Sequence, residues 1–368
     1  YTIPSGESMI GSDGKLNPNA KLGSVYTYKG NQYTLTPDNW SDATFKHSLR
    51  QEYTVSGSGA TDRGSFYTSF NYLNYDGITT SSSYERYSGR IKADYKVKDW
   101  LKMSGNANFS HYTQNNTGQD EGNSSSSGNV FALTKMGPIY PLYIRDGNGN
   151  IMFDKNSGIN YYDYGDGKVN GLNRPYLSQS NPLSSLQLDE NKVVGNMVNT
   201  TLSADVTLPY GFKFTSTNNA TVDEDRQTNT TNPFYGQYTA SNGIVYKYSY
   251  RYFTYDLQQL LNWSQSYGKN TISAVLGHDY YSRNYAYLEG DKNNQYSPSN
   301  DELAGAINVG STNSYQRDYN NEGYFFRALY DYDNKYHGEF SVVRQASSRF
   351  AKDNRWGNFW SAGTSWVK

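Results

Sequence analysis

Residues 84–98 alternate with a period of two. Tyr87, Gly89, Ile91, Ala93, Tyr95 and Val97 fall on one side, and Arg86, Ser88, Arg90, Lys92, Asp94, Lys96 and Lys98 on the other. Strict alternation predicts a strand with one face turned away from water. At ~3.3 Å per residue the run spans on the order of 50 Å. Strands of soluble proteins usually hold about 3–10 residues, whereas crossing a bilayer takes about 9–11. The next segment repeats the pattern: Leu101, Met103, Gly105, Ala107 and Phe109 alternate with Lys102, Ser104, Asn106, Asn108 and Ser110. Val198, Leu202, Ala204 and Val206 likewise oppose Asn199, Thr201, Ser203 and Asp205, and Phe253, Tyr255, Leu257 and Leu261 oppose Thr254, Asp256, Gln258 and Asn262. The polar sides carry small and charged groups with no apolar partner set, which fits a wet interior better than a sandwich core.

The alternation predicts about eleven strands, near 48–57, 64–75, 84–98, 100–114, 193–208, 211–225, 251–265, 269–284, 320–333, 336–346 and 357–368. Their connections alternate in length. Short ones fall at 58–63, Asp99, Pro209-Tyr210, 266–268 and Asn334-Lys335; long ones fall at 76–83, 115–192, 226–250, 285–319 and 347–356. Tight turns at one end and long loops at the other are the plan of an outer-membrane barrel. The expected fold is therefore all-β, a transmembrane antiparallel β-barrel with long extracellular loops. An unclosed sheet leaves its edges unpaired in lipid, so further strands are expected outside this stretch. Within 115–192, Val130 to Met136 predicts one or two helical turns, and Leu142 to Phe153 predicts a hairpin turning at Asp146-Gly147-Asn148-Gly149-Asn150.

Composition agrees with this picture. Tyr contributes 38 of 368 residues and Gly 34, and cysteine is absent, which removes disulfides, thiolate metal sites and Cys nucleophiles. With 33 basic and 34 acidic residues, no basic excess points to nucleic acid. The mean hydropathy of -0.85 and the lack of a long apolar run exclude a membrane-spanning helix but not a barrel, whose alternating strands average out as hydrophilic. The chain opens on Tyr1-Thr2-Ile3 with no charged and apolar leader pattern; the expectation is either that a targeting segment has been removed or that this is part of a longer polypeptide.

Candidate chemistry is sparse. No nucleophile elbow, phosphate loop or Ser/His/Asp set occurs, so no enzyme is expected. His47, His111, His278 and His337 share no metal-ligand spacing; His111 and His278 fall at strand ends, where the membrane interface lies. Asp223, Glu224 and Asp225 adjoin one another on a strand and do not form an acid/base pair. The Asp146 loop reads as a hairpin turn. Its alternative is a calcium loop joined by Asp154, Asp163 and Asp166, although Ser157 stands where an EF-hand would place Glu. No cofactor is expected. Aromatics in loops are the better binding candidates: Trp40, Tyr161, Tyr162, Tyr164, Tyr235, Tyr238 and Trp356, with Asp163 among them. Such faces stack on sugars or sink into a partner; the alternative is that they pack the loops together. Most strand tyrosines are assigned to the membrane-interface girdle.

Several stretches resemble one family. Ser48-Leu49-Arg50-Gln51-Glu52-Tyr53-Thr54-Val55-Ser56-Gly57, Phe66 to Ile78, Tyr84-Glu85-Arg86-Tyr87-Ser88-Gly89-Arg90 with Asp99-Trp100-Leu101-Lys102, Tyr324 to Tyr332, and Ser347-Ser348-Arg349-Phe350 with Asp353-Asn354-Arg355-Trp356-Gly357 are similar to the SusC/RagA-type TonB-dependent transporters of Bacteroidetes outer membranes. The resemblance covers most of 48–114 and 320–368. It implies the middle part of a 22-stranded barrel that imports oligosaccharides or peptides, lies in outer-membrane lipid, is capped by a SusD-like surface lipoprotein, and is energised by TonB through a plug that is not visible here. One departure is Arg344-Gln345-Ala346, where the family often has Arg-Asp-Gly. The rival readings are a soluble or surface-attached all-β adhesin or carbohydrate-binding protein, and a passive porin-like barrel.

Overall fold

The computed structural model describes residues 2–116, 136–137, 139–155, 157–175, 178–234 and 239–367. Of the expected helical turns, Val130 to Lys135 lie outside these residues. The elements run β1 (Ser24–Tyr28), β2 (Asn31–Leu35), β3 (Arg50–Thr61), β4 (Gly64–Asp76), β5 (Ser83–Lys98), β6 (Leu101–Asn115), β7 (Arg145–Asp146), β8 (Phe153–Asp154), β9 (Ile159–Asn160), β10 (Glu190–Thr207), β11 (Phe212–Thr231), β12 (Ile244–Tyr267), β13 (Asn270–Gln295), β14 (Ala306–Tyr332), β15 (Tyr336–Ser347) and β16 (Trp356–Trp366). Eleven of them form one sheet in the order β16-β15-β14-β13-β12-β11-β10-β6-β5-β4-β3. Each neighbouring pair is antiparallel, so the sheet is a meander broken only by the excursion between β6 and β10. Among the described residues, β3 pairs only with β4 and β16 only with β15.

Register makes the two faces continuous. Val55, Phe70, Gly89, Phe109, Val198, Val222 and Phe253 follow one another across seven strands. The adjacent row, on the opposite face, reads Ser56, Ser69, Arg90, Asn108, Asn199, Thr221 and Thr254. A one-residue slip anywhere would exchange the faces. The apolar face is uncovered: Val55, Ile91 and Leu202 are 74%, 64% and 60% exposed, an arrangement water penalises and hydrocarbon favours. The polar face is concave, since Asp94, Lys102, Asp205 and Lys213, from four successive strands of the sheet, line one hollow.

The strand count and facing match the sequence reading; two of the long connections do not. Residues 226–231, 244–250, 285–295 and 306–319 are strand, so the expected loops 226–250 and 285–319 shrink to 232–243 and 296–305. The backbone ladder continues after the apolar face has ended, as in β14, which runs for 27 residues. The short turn at 58–63 also tightens, to Asp62-Arg63.

Residues 2–47 and the 136–189 excursion fold together at the long-loop end. β1 and β2 form a hairpin, and β2 continues into β7 through Tyr33↔Asp146 and Thr34↔Arg145. Trp40, Met136, Leu142, Leu183 and Leu186 make the buried cluster of this loop body. The expected 142–153 hairpin is present, with Arg145 bridged to Ile151.

Candidate functional site

Polar side chains cover the concave face as a bonded lattice. Asn199 Nδ2 donates to Asn219 Oδ1 at 3.2 Å and Thr221 Oγ1 at 2.7 Å, and Asn219 Nδ2 donates to Thr201 Oγ1 at 2.9 Å. Arg90 Nε donates to Asn106 Oδ1 at 3.0 Å, Lys102 Nζ lies 3.1 Å from Asp94, and Lys213 Nζ lies 3.3 Å from Asp205. These groups are half-exposed and need water to complete their bonding, so this face borders an aqueous space. On the apolar face, His278 stacks on Tyr324 with centroids 4.6 Å apart, and His111 Nδ1 meets Asn196 Oδ1 at 2.8 Å. Both histidines therefore sit on the outward face at the level of the aromatic rings.

The loop body takes up most of the sequence-selected residues. Trp40 is buried against Met136 and Leu142, and its Nε1 donates to the Tyr140 carbonyl at 2.9 Å. The short helix Trp40–Thr44 that carries it is capped by Asn39, whose Oδ1 accepts from Ser41 and Asp42 N–H. Tyr162 is buried, donates to Gln187 and packs on Tyr143; Tyr164 is buried against Ser184. Asp163 is also buried: it accepts from Gly165 N–H at 2.7 Å and Asn170 Nδ2 at 3.3 Å and faces Arg174 at 4.0 Å. Burial pushes the Asp163 carboxyl above its ordinary range and Arg174 below its own. Trp40, Tyr162, Asp163 and Tyr164 are thus buried and hold the loops together, the packing alternative of the sequence analysis, and the close packing centres on Asn181. That fully buried side chain bonds Leu142 O and Asp163 O at 3.0 Å each and caps the helix Pro182–Leu188. Asp38 adds a bidentate ion pair to Arg145 at 2.6 and 2.9 Å. Tyr161 is half-buried beside this group. Trp356 lies apart, 41% exposed, stacked on Tyr324 with Arg344 over its ring. Tyr235 and Tyr238 lie outside the described residues.

Asp146 is consumed by its own turn: its carboxylate accepts from Asn148 N–H, Asn150 N–H and Asn150 Nδ2 at 3.0, 2.9 and 3.2 Å. Among the described residues no group of three carboxylate or histidine side chains is placed to hold a metal.

The strongest concentration of recognition chemistry was not selected from the sequence. Where β12, β13 and β14 outrun the apolar belt, their concave face carries Tyr246, Tyr248, Tyr250, Tyr252, Tyr281, Tyr285, Tyr287, Tyr315 and Tyr319. Tyr246, Tyr248 and Tyr250 stack in file at 6.4 Å steps, and Tyr252 stacks on Tyr285 at 4.7 Å. Tyr285 and Tyr287 meet Tyr315 at 5.8 and 5.1 Å. These tyrosines face inward at the loop end of the wall; Tyr252 and Tyr281, which fall in expected strands, are therefore not girdle residues, while the other seven fall in the expected loops 226–250 and 285–319. The signal was present in the sequence as tyrosine at every second position of 246–252.

A sheet with one lipid-compatible face, one wet concave face and its loops gathered at one end defines a β-barrel membrane protein. No protein-family model matches the chain. Its sequence is 25% identical over 344 residues to the TonB-dependent receptor SusC of Bacteroides thetaiotaomicron, covering 89% of this chain and 32% of SusC. A TonB-dependent receptor of Formosa agariphila is 24% identical over 343 residues, covering 91% and 32%. In three dimensions the chain matches the RagAB peptide importer in its 'closed-closed' state with a TM-score of 0.72 at 20% identity, over 89% of this chain and 35% of that one. The similarity to SusC/RagA-type receptors read from 48–114 and 320–368 therefore extends over most of the chain, and its place is the outer membrane. The chain spans about a third of the length of the curated relatives it matches.

Proposed function

We propose that residues 1–368 form part of the barrel wall, and the loop body outside it, of a TonB-dependent outer-membrane importer of oligosaccharides or peptides. The observation that carries this is the contrast of the two faces from β3 to β12, mainly apolar outward and hydrogen-bonding inward. Its two edges, unpaired among the described residues, call for further strands of the same or another chain, because a bare edge in hydrocarbon leaves each N–H and C=O unsatisfied at several kcal/mol apiece. A plug inside the barrel, TonB below it and a SusD-like lipoprotein above the loop body complete the machine. The role is passage, not catalysis. The test is deletion of the gene that encodes the whole polypeptide. Growth on one class of glycan or peptide should fail and return with the intact gene; a protein that partitions into water without detergent would overturn the reading.

A further inference from the structure

Three guanidiniums share one hollow at the outer end of β12–β14. Arg283 lies 4.5 Å over the Tyr252 ring, Arg317 4.6 Å over Tyr315, and Arg349, from the turn after β15, 4.6 Å over Tyr319. All three line the same cavity of about 590 Å³, bordered also by Ser348 and Asp318. Among the described residues, none of the three pairs with a carboxylate, although elsewhere on the molecule Arg145, Arg174 and Arg327 each have one. Asp318 borders the cavity from the strand that carries Arg317, but strand alternation turns its side chain to the other face, where its Oδ1 accepts from Asn284 Nδ2 at 2.7 Å. Both faces of the sheet are polar at this height, with Asn284, Asp318 and Asn320 on the outward side, so the hollow stands above the hydrocarbon.

Stacking on tyrosine holds each guanidinium plane while leaving its N–H edge free, the geometry that suits a two-point bond to a carboxylate. Because the arginines cover these ring faces, the faces are not open to stack on a neutral sugar. Resting on the importer reading above, we propose that this hollow is an anion-recognition site on the substrate path, selecting ligands that bear carboxylates: uronate units of an acidic oligosaccharide, or the acidic groups of a peptide.

The experiment uses the full-length transporter purified with its partner. Four probes are titrated: oligogalacturonate, its neutral galactose counterpart, a peptide ending in a free carboxylate, and the same peptide amidated. One acid probe should bind at least about tenfold more tightly than its neutral twin, with affinity falling as salt rises. Which acid probe binds identifies the source. The variant R283Q/R317Q/R349Q should lose that preference, R283K/R317K/R349K should keep only part of it, and both should remain in the membrane fraction. Equal binding of acid and neutral twins, or binding of no acid probe, overturns the site and leaves import standing. Loss of partner co-purification with ligand preference intact overturns it in favour of a docking surface. Recovery of the wild type in the aqueous phase strikes the importer reading first.

Discussion

Trp40 shows what a single residue does in the loop body. Its ring fills the space between Met136, Leu142, Leu183 and Leu186, so Trp40→Ala should loosen this body by about 3 kcal/mol through lost burial and the cavity left behind. Faster proteolysis within 136–189, with the strands still protected, would show it; unchanged cleavage would mean the cluster is not what holds the loops. Asp189 offers a titration test. Burial pushes its carboxyl up to about 6, against two hydrogen bonds from Asn232 N–H and Nδ2 at 2.9 and 2.6 Å that act the other way. A folded pKa above the unfolded one means the native state binds more protons between the two values, so stability from this group is greatest in acid and falls as pH rises through about 4 to 6. Asp189→Asn should therefore protect the amides of 182–234 from hydrogen exchange by about 2 kcal/mol at pH 7 and by little at pH 4. A gain equal at both pH values would remove desolvation as the cause. Neither residue announced its setting in the sequence. A loop tryptophan beside Asn and Asp has the same local pattern whether it packs or waits for a sugar, and only the distant segment at 136–186 decides.

At the scale of the strand, period-two alternation was sufficient wherever one face meets hydrocarbon. It located all eleven strands of the sheet and the facing of those it assigned, because an error of one residue would have put Ile91 and Leu202 among the lattice-forming polar groups. It failed above the membrane, where β11 to β14 continue with polar side chains on both faces and contrast disappears while the backbone ladder persists. That blind zone contains most of the tyrosine–arginine band, which fell in the expected loops 226–250 and 285–319; only as strand do its alternate residues come together on one face. The facing assignment has a direct test. Ile91→Arg or Leu276→Arg should cost about 2–4 kcal/mol of barrel stability near the bilayer midplane, while Ser88→Ala and Lys92→Ala should change it little. The measurement is the unfolded fraction after refolding into lipid vesicles under a urea gradient. Equal effects at both sets would mean that the faces are exchanged or that no bilayer surrounds them.

Across the whole molecule, three features have to be oriented together: the apolar belt, the loop body at one end and the short turns at the other. The turns at Asp62-Arg63, Asp99-Trp100, 268–269 and 333–335 share the end opposite to Trp40 and the tyrosine band. A membrane fixes which end meets the outside, and because residues 1–368 carry no cysteine, each position can be read singly once any cysteine elsewhere in the full-length polypeptide is replaced by serine. In intact cells carrying the full-length protein, Tyr285→Cys should react with a membrane-impermeant maleimide. Asp99→Cys and Lys269→Cys should react only after the outer membrane is permeabilised. Asn199→Cys and Arg327→Cys, on the concave face, should react with small water-soluble reagents, whereas Leu202→Cys and Phe326→Cys, on the opposite face, should react only with a lipid-soluble one. Labelling of the short turns in intact cells would invert the molecule and place the arginine hollow on the periplasmic side, where it could not meet an incoming substrate first. Labelling of Leu202→Cys and Asn199→Cys by the same water-soluble reagent at one rate would place both faces in water, and the outward row from Val55 to Phe253 would then need a protein partner rather than lipid to cover it.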